Sequence, residues 1–354
     1  MNIPTPYLVF LGNAVDYKQA KVASGVVEWR PEHCLAQCTM DGCKVDLGLP
    51  EQTPAEAVSN GAKTFLIGIS PFETELPESF KNKVLEAIGA GLNIANPLHA
   101  ALPTEILEAA EAAGVKVFNF RHRTVDYPKG AGTRRPGLRL LTAGNDCACG
   151  KKYTALALYK TLTAAGDKAT FRATGQTGFL ISQSGINNDT IQADFLTGAA
   201  EWLTPANDPG HWDIVEGQGA LSHPSFGPGS LGLIYGTQPD FVVMCTEPGR
   251  IFQRGVMRQA MPITNEGLHI EVMGRRTNPN LQIAAYSLFT RDASFQDIEE
   301  VVREVLTYNP NAIIFDPYYA MTGKPDRTPL INSVEGLARL VREMKALSKE
   351  QESY

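Results

Sequence analysis

No apolar run in the 354-residue chain approaches the roughly 20 residues that a membrane-spanning helix needs. The first twenty residues, MNIPTPYLVFLGNAVDYKQA, lack the basic segment, long apolar stretch and cleavage site of a secretory leader, so a cytoplasmic protein is expected. Lys and Arg form no block long enough to track a phosphate backbone and the formal charge is −6, so nucleic acid is not an expected partner. Six cysteines are few for this length, and two of them stand one residue apart, which argues against a disulfide frame. The first strand ends in Leu11-Gly12-Asn13-Ala14-Val15 without a following G-x-G-x-x-G, which counts against a nicotinamide-dependent oxidoreductase.

What is present is 43% hydrophobic and 20% charged, with 32 Gly and 23 Pro and no low-complexity tract, a composition that suits a loop-rich α/β protein. At about 100–200 residues per domain, the length predicts two. Apolar runs Tyr7–Leu11, Val26–Trp29, Thr64–Ile69 and Val115–Phe120 read as strands, with helices over 77–90 and 103–113, the latter stopped by Gly114. Alternation of this kind predicts mainly parallel sheets with helices on their faces. The Pro/Gly-rich segment 126–137 sets the boundary, giving domains 1–135 and 136–354. In the second, strands are expected at 138–142, 169–173, 212–216, 240–245, 281–288 and 312–316, with helices over 294–307 and from Ser333 to about Leu347.

The stretch Ala143-Gly144-Asn145-Asp146-Cys147-Ala148-Cys149-Gly150-Lys151-Lys152-Tyr153-Thr154 follows a strand and opens a helix, the setting of a phosphate loop. Such a loop works because backbone N–H groups and a helix N-terminus converge on anionic oxygens while Lys adds a mobile charge. Here five residues separate Gly144 from Gly150-Lys151, and Lys152 replaces the usual Ser or Thr, whose hydroxyl normally sits on magnesium; Thr154 is the nearest substitute. The pattern favours a ligand rich in phosphate charge that needs no metal. Cys34, Cys38 and Cys43 beside His33 offer four soft ligands, but their spacing lacks the paired C-x2-C rhythm of zinc sites, and reduced thiols on a small sheet are expected instead.

A second element is Trp212-Asp213-Ile214-Val215-Glu216-Gly217-Gln218-Gly219, which delivers Glu216 to the C-terminal edge of a strand, where open α/β sheets bind substrates. Glu216 is a candidate base or, alternatively, a carboxylate that caps a helix or pairs with Arg172. The loop and the Glu-Gly strand together resemble dethiobiotin synthetase. With Arg172-Ala173-Thr174-Gly175-Gln176-Thr177-Gly178, Ala193-Asp194-Phe195, His223-Pro224 and Thr246-Glu247-Pro248-Gly249-Arg250, nearly the whole chain resembles a bacterial family, long catalogued as a domain of unknown function, associated with N-acetylation of D-glutamate and other D-amino acids.

The resemblance implies a Rossmann-like N-terminal domain, a P-loop C-terminal domain and an acetyl-CoA-dependent N-acetyltransferase with no required metal. Coenzyme A carries a pyrophosphate and a 3′-phosphate, which 145–154 would hold. Glu216 or Asp194 would accept the proton of the substrate ammonium, with His223 as a further candidate and Gln218 or loop amides facing the oxyanion. Arg172, Arg250 and Arg275, with Gln176 and Gln218, are candidates for holding a dicarboxylate, Arg276 less so. The remaining readings are an ATP/magnesium ligase with metal at Thr154, Asp146 and Glu216, and a non-catalytic coenzyme A or nucleotide sensor. A homodimer is the default for an enzyme of this size.

Overall fold

Tyr7–Gly12 and Thr64–Ile67 are buried along their whole length, as strands covered on both faces must be. The computed structural model describes residues 2–69, 76–98, 101–120 and 125–352, and these form two units: Met1–Val125 with Gln176–Thr190, and Asp126–Gly175 with Ile191–Tyr354.

In the first unit, β1 (Tyr7–Gly12), β2 (Cys34–Thr39), β3 (Thr64–Ile67), β4 (Asn93–Asn96) and β5 (Val117–Asn119) pair in parallel in the order β2-β1-β3-β4-β5. This is a doubly wound order that reverses between β1 and β3. Helices α1 (Lys21–Trp29), α2 (Pro54–Ser59), α3 (Glu78–Gly89) and α4 (Thr104–Ala113) link the strands. Val26–Trp29, expected as a strand, closes α1: Val22, Val26 and Trp29 are buried at spacings of four and three, a helical stripe that the four-residue apolar run conceals.

The expected domain limits differ from these units in two respects. Residues 126–135, expected in the first domain, belong to the second unit, and Gln176–Thr190, expected in the second domain, lies with the first unit. Its helix α6 (Gln176–Ser182) accepts the Arg30 Nε bond at Ile181 O, 2.8 Å, and Gln183 Nε2 donates to the Tyr7 hydroxyl at 2.7 Å.

The second unit carries β6 (Leu138–Gly144), β7 (Ala169–Arg172), β8 (Trp212–Val215), β9 (Phe241–Thr246), β10 (Gln282–Leu288) and β11 (Ile314–Phe315), all parallel, in the order β11-β10-β9-β6-β8-β7. Connections run through α5 (Lys151–Ala164), α7 (Ala193–Leu203), α8 (Gly227–Thr237), α9 (Ile263–Gly274) and α10 (Phe295–Tyr308), and the chain closes with α11 (Pro317–Thr322) and α12 (Ser333–Glu352). β6 and β8 are adjacent, so the loop after β6 and Glu216 after β8 emerge side by side at the C-terminal edge. Among the described residues no helix is long and apolar enough to cross a membrane.

Candidate active site

β6 is wholly buried and delivers the loop 145–150 to the sheet edge. Two residues in it hold positive φ, Ala148 at 52° and Gly150 at 96°. The second turns the backbone into α5, and a Cβ there would come within 3.2 Å of Phe289 Cβ. Asp146, fully buried, braces the loop: its Oδ2 accepts from Arg250 Nη1 at 2.5 Å, and both carboxylate oxygens accept from Arg254 N at 3.0–3.1 Å. Arg250 Nη1 also donates to Cys147 O, and Nη2 pairs with Glu247. Asn145 Nδ2 donates to Met261 O at 2.9 Å.

Lys151 is buried, and its Nζ donates to Asp146 O at 2.6 Å and meets Cys149 Sγ at 3.5 Å. The ammonium thus lies on the loop it follows. Lys152, one residue on, is near enough to Glu216 to lower its pKa. The loop offers an anion two cations, a helix N-terminus and positive-φ turns. Its donor set suits phosphate oxygens.

Glu216 is buried directly beyond β8. Its Oε2 accepts the backbone N–H of Thr174 at 3.1 Å and of Gly175 at 3.2 Å, while the Thr174 hydroxyl donates to Glu216 O at 2.6 Å. Burial pushes its carboxyl above the ordinary range, against the pull of Lys152, the two amides and Lys151. A carboxylate raised by burial and pinned through one oxygen suits a proton acceptor. Gln218 Nε2 donates to the Thr174 hydroxyl at 2.9 Å, and a Cβ on Gly175 would lie 2.8 Å from that nitrogen and 3.7 Å from Glu216 Oε1. Gly175 therefore permits carboxylate and amide to share one place. Gly217 is required more strictly, since its Cβ would fall 1.6 Å from Thr142 O, and its N–H is received by the Thr142 hydroxyl at 3.0 Å.

Several expected site residues are used otherwise. Arg172 pairs with Asp213 and not with Glu216: its Nε donates to Asp213 Oδ1 at 2.7 Å, back along β8. Arg275 stands at the opposite sheet edge, bonded to Glu271 at 2.6 Å and to Leu281 O ahead of β10, and Arg276 is exposed beside it. Arg250 holds the loop rather than an external carboxylate. Asp194 is exposed in the first turn of α7, which places an acid at a helix N-terminus but not in a dry pocket. His223 is buried, its Nδ1 accepts from Ser225 N and Phe226 N and its Nε2 meets Arg254 O at 3.1 Å, so both ring nitrogens serve the loop. Gln176 opens α6 in the first unit, and its buried Nε2 has no hydrogen-bond partner among the described residues.

Metal ligation is similarly constrained. The Thr154 hydroxyl is buried, donating to Gly150 O at 3.0 Å and meeting Ser287 Oγ at 2.8 Å, which turns it into the helix–sheet core. Asp146, Cys147 and His223 place ligand atoms within 4.8 Å of one another, but the carboxylate and both ring nitrogens already have protein partners. Cys34 and Cys38 lie four residues apart on β2, about 13 Å along a strand, too far to share an ion. Burial pushes their thiols up to about 12 and about 11.

Sequence reasoning missed the bracing role of Arg254 and the part of Thr174 and Gly175 in holding Glu216; Gly175 beside Thr174 in a strand-to-helix turn was the available signal. Tyr153 belongs to an aromatic group with Phe289 and Tyr318, at ring separations of 6.0 and 6.4 Å.

Family comparisons agree with this architecture. Residues 128–320 match the model described as "Domain of unknown function (DUF1611_C) P-loop domain", and residues 36–123 match "Domain of unknown function (DUF1611_N) Rossmann-like domain". A protein of Tritonibacter scottomollicae named D-glutamate N-acetyltransferase is 40% identical over 86% of this chain and 92% of its own length. One of Pseudoalteromonas sp. with the same name is 38% identical over 85% and 92%. The crystal structure of a DUF1611 family protein from Anabaena variabilis superposes with a TM-score of 0.78 over 88% of this chain and 95% of its own, at 22% identity, a likeness of fold. With two curated N-acetyltransferases matching nearly end to end and both domain models in place, the chain belongs to the DUF1611 family, as an acyltransferase with a Rossmann-like and a P-loop domain.

Proposed function

We propose that the protein transfers the acetyl group of acetyl-CoA to the amino group of D-glutamate or a related D-amino acid. The observation that carries the reading is the buried Glu216, held by the amides of Thr174 and Gly175 beside a loop that presents Lys151 and Lys152. The names of the two relatives support the acceptor and the reaction type.

Acetyl-CoA would supply an acyl thioester, and Lys151, Lys152 and the 147–152 backbone would hold its pyrophosphate. Glu216 takes a proton from the substrate ammonium, which frees the nitrogen lone pair to attack the thioester carbonyl carbon; the carbon–sulfur bond then breaks, the nitrogen gives up a second proton to the departing thiolate, and coenzyme A leaves as its free thiol. Gln218, fixed on Thr174, is placed beside that carboxylate, where an amide N–H can meet the oxygen that gains charge. The ATP/magnesium reading is supported less well, because two of its three ligands, Thr154 and Asp146, face protein partners.

Calorimetric titration with acetyl-CoA and, separately, with ATP plus magnesium, followed by thiol release on D- and L-glutamate, tests the proposal. Acetyl-CoA binding with thiol release on D-glutamate is expected. Binding of ATP alone would overturn it, and binding of acetyl-CoA without turnover on any amine would indicate a sensor.

A further inference from the structure

Beyond the phosphate loop, the C-terminal edge of the sheet continues over β10 and β11, where rings and cations collect that the transfer reaction leaves unused. Phe289 follows β10 and packs against Gly150, a Cβ on which would touch it at 3.2 Å. Tyr153, in the first turn of α5, lies 6.0 Å from Phe289 and 6.4 Å from Tyr318, which in turn meets Tyr319 edge-on at 5.2 Å.

Two cations share the Tyr318 ring. The Arg291 guanidinium carbon is 5.7 Å from its centroid and Lys324 Nζ is 5.4 Å away, with Nζ also bonded to the Tyr318 hydroxyl at 3.0 Å. Arg291 and Lys324 are exposed, while the three tyrosines are half-buried.

This arrangement is held from below. Buried Asp316 receives Thr290 N and the Thr290 hydroxyl at 2.8 and 2.7 Å and caps α11 through Tyr318 N at 2.7 Å, tying the segment after β10 to the helix after β11. Arg327 Nη1 donates to Arg291 O at 2.7 Å, and Gly323, at a φ of 65°, turns the chain so that Lys324 returns over Tyr318.

We propose that this rim binds the adenosine 3′-phosphate end of coenzyme A, with Tyr153 and Tyr318 lining one side of the nucleoside and Arg291 and Lys324 meeting the 3′-phosphate. The inference rests on the acetyl-CoA reading above and deepens it. Aromatic faces accept any base, and a second pair of cations, separate from the loop, suits a ligand with a phosphate away from the pyrophosphate. Since ring separations of about 6 Å connect the loop to the rim, pyrophosphate on the loop leaves a nucleoside within reach of Tyr318. The rim thus distinguishes coenzyme A from nucleotides that lack the 3′-phosphate.

The test compares acetyl-CoA with its 3′-dephospho form in calorimetry and in steady-state kinetics, for the wild type and for Arg291→Ala, Lys324→Ala and the double variant. The wild type is expected to bind acetyl-CoA at least tenfold more tightly than the dephospho form. The double variant should lose that preference through a higher KM for acetyl-CoA, with kcat and the dephospho KM within about twofold. Equal wild-type affinity for the two, or an unchanged preference in the double variant, would overturn the inference and leave the acetyl-CoA reading standing. Failure of the wild type to bind either thioester would instead remove the reading on which it rests. Circular dichroism melting within a few degrees of wild type verifies that these exposed substitutions leave the fold intact.

Discussion

Arg250 Nη1 and Asp146 Oδ2 stand 2.5 Å apart across the mouth of the phosphate loop, joining the segment after β9 to the segment after β6. Asp146 is fully buried, so removing its partner leaves a carboxylate held, among the described residues, by the Arg254 amide. Arg250→Ala is expected to cost about 2–4 kcal/mol of stability, less than the loss of a fully buried pair because Arg250 keeps some exposure. It should also weaken acetyl-CoA binding about tenfold. Urea unfolding and calorimetry measure the two effects; a stability change below about 0.5 kcal/mol would show that the pair is not a brace.

Glu216→Gln separates chemistry from structure. Glutamine retains an oxygen for the Thr174 and Gly175 amides but cannot accept the proton, so kcat should fall by about 10²–10⁴. Because burial raises the folded pKa, the carboxyl's contribution to stability is present at low pH and lost as pH rises through that pKa. The glutamine variant is therefore expected to be at least as stable as wild type at neutral pH. Wild-type turnover should drop on acidification at a pH above the ordinary glutamate value of about 4.3. A fall in kcat below tenfold, or an acidic limb at the ordinary value, would assign the base elsewhere.

His223→Asn tests the reading of the histidine as loop scaffold. Asparagine can receive the Ser225 and Phe226 amides but gives up the contact with Arg254 O. A stability loss of about 1 kcal/mol with kcat within threefold is expected. A hundredfold loss of kcat with intact acetyl-CoA affinity would restore His223 as a base.

Gly175→Ala and Gly217→Ala should differ in kind. At 217 the new Cβ meets the backbone oxygen of Thr142 at 1.6 Å, where the sheet cannot yield, and little folded protein is expected. At 175 it meets the far end of Gln218 at 2.8 Å, which can move. That variant should melt within a few degrees of wild type with kcat at least tenfold lower, the same direction as Gln218→Ala. Unchanged turnover in both would remove Gln218 from the reaction.

Lys151→Ala should raise the Kd for acetyl-CoA by at least tenfold while Arg275→Ala leaves kinetics unchanged, since the two lie at opposite edges of the sheet. Equal effects in titration and turnover assays would contradict the placement of the site at the loop.

Much of this protein follows from sequence alone. Alternating apolar runs and turn residues point to two parallel α/β sheets, because strands buried on both faces read as continuous apolar segments. Gly150-Lys151 between a strand and a helix, and Glu216 at the end of an apolar strand, point to the sheet edge where the ligand is proposed to bind. Periodicity is silent where short segments are ambiguous, so β2, β4 and the end of α1 emerge only from packing. Sequence likewise cannot say which partner a charge meets. The tertiary structure decides that Arg172 turns to Asp213, Arg250 to Asp146 and Thr154 into the core, because burial forces each polar group onto the nearest complementary one, however distant in the chain. The same requirement raises the Glu216 carboxyl, whose burial arises only when β7 and β8 are brought side by side.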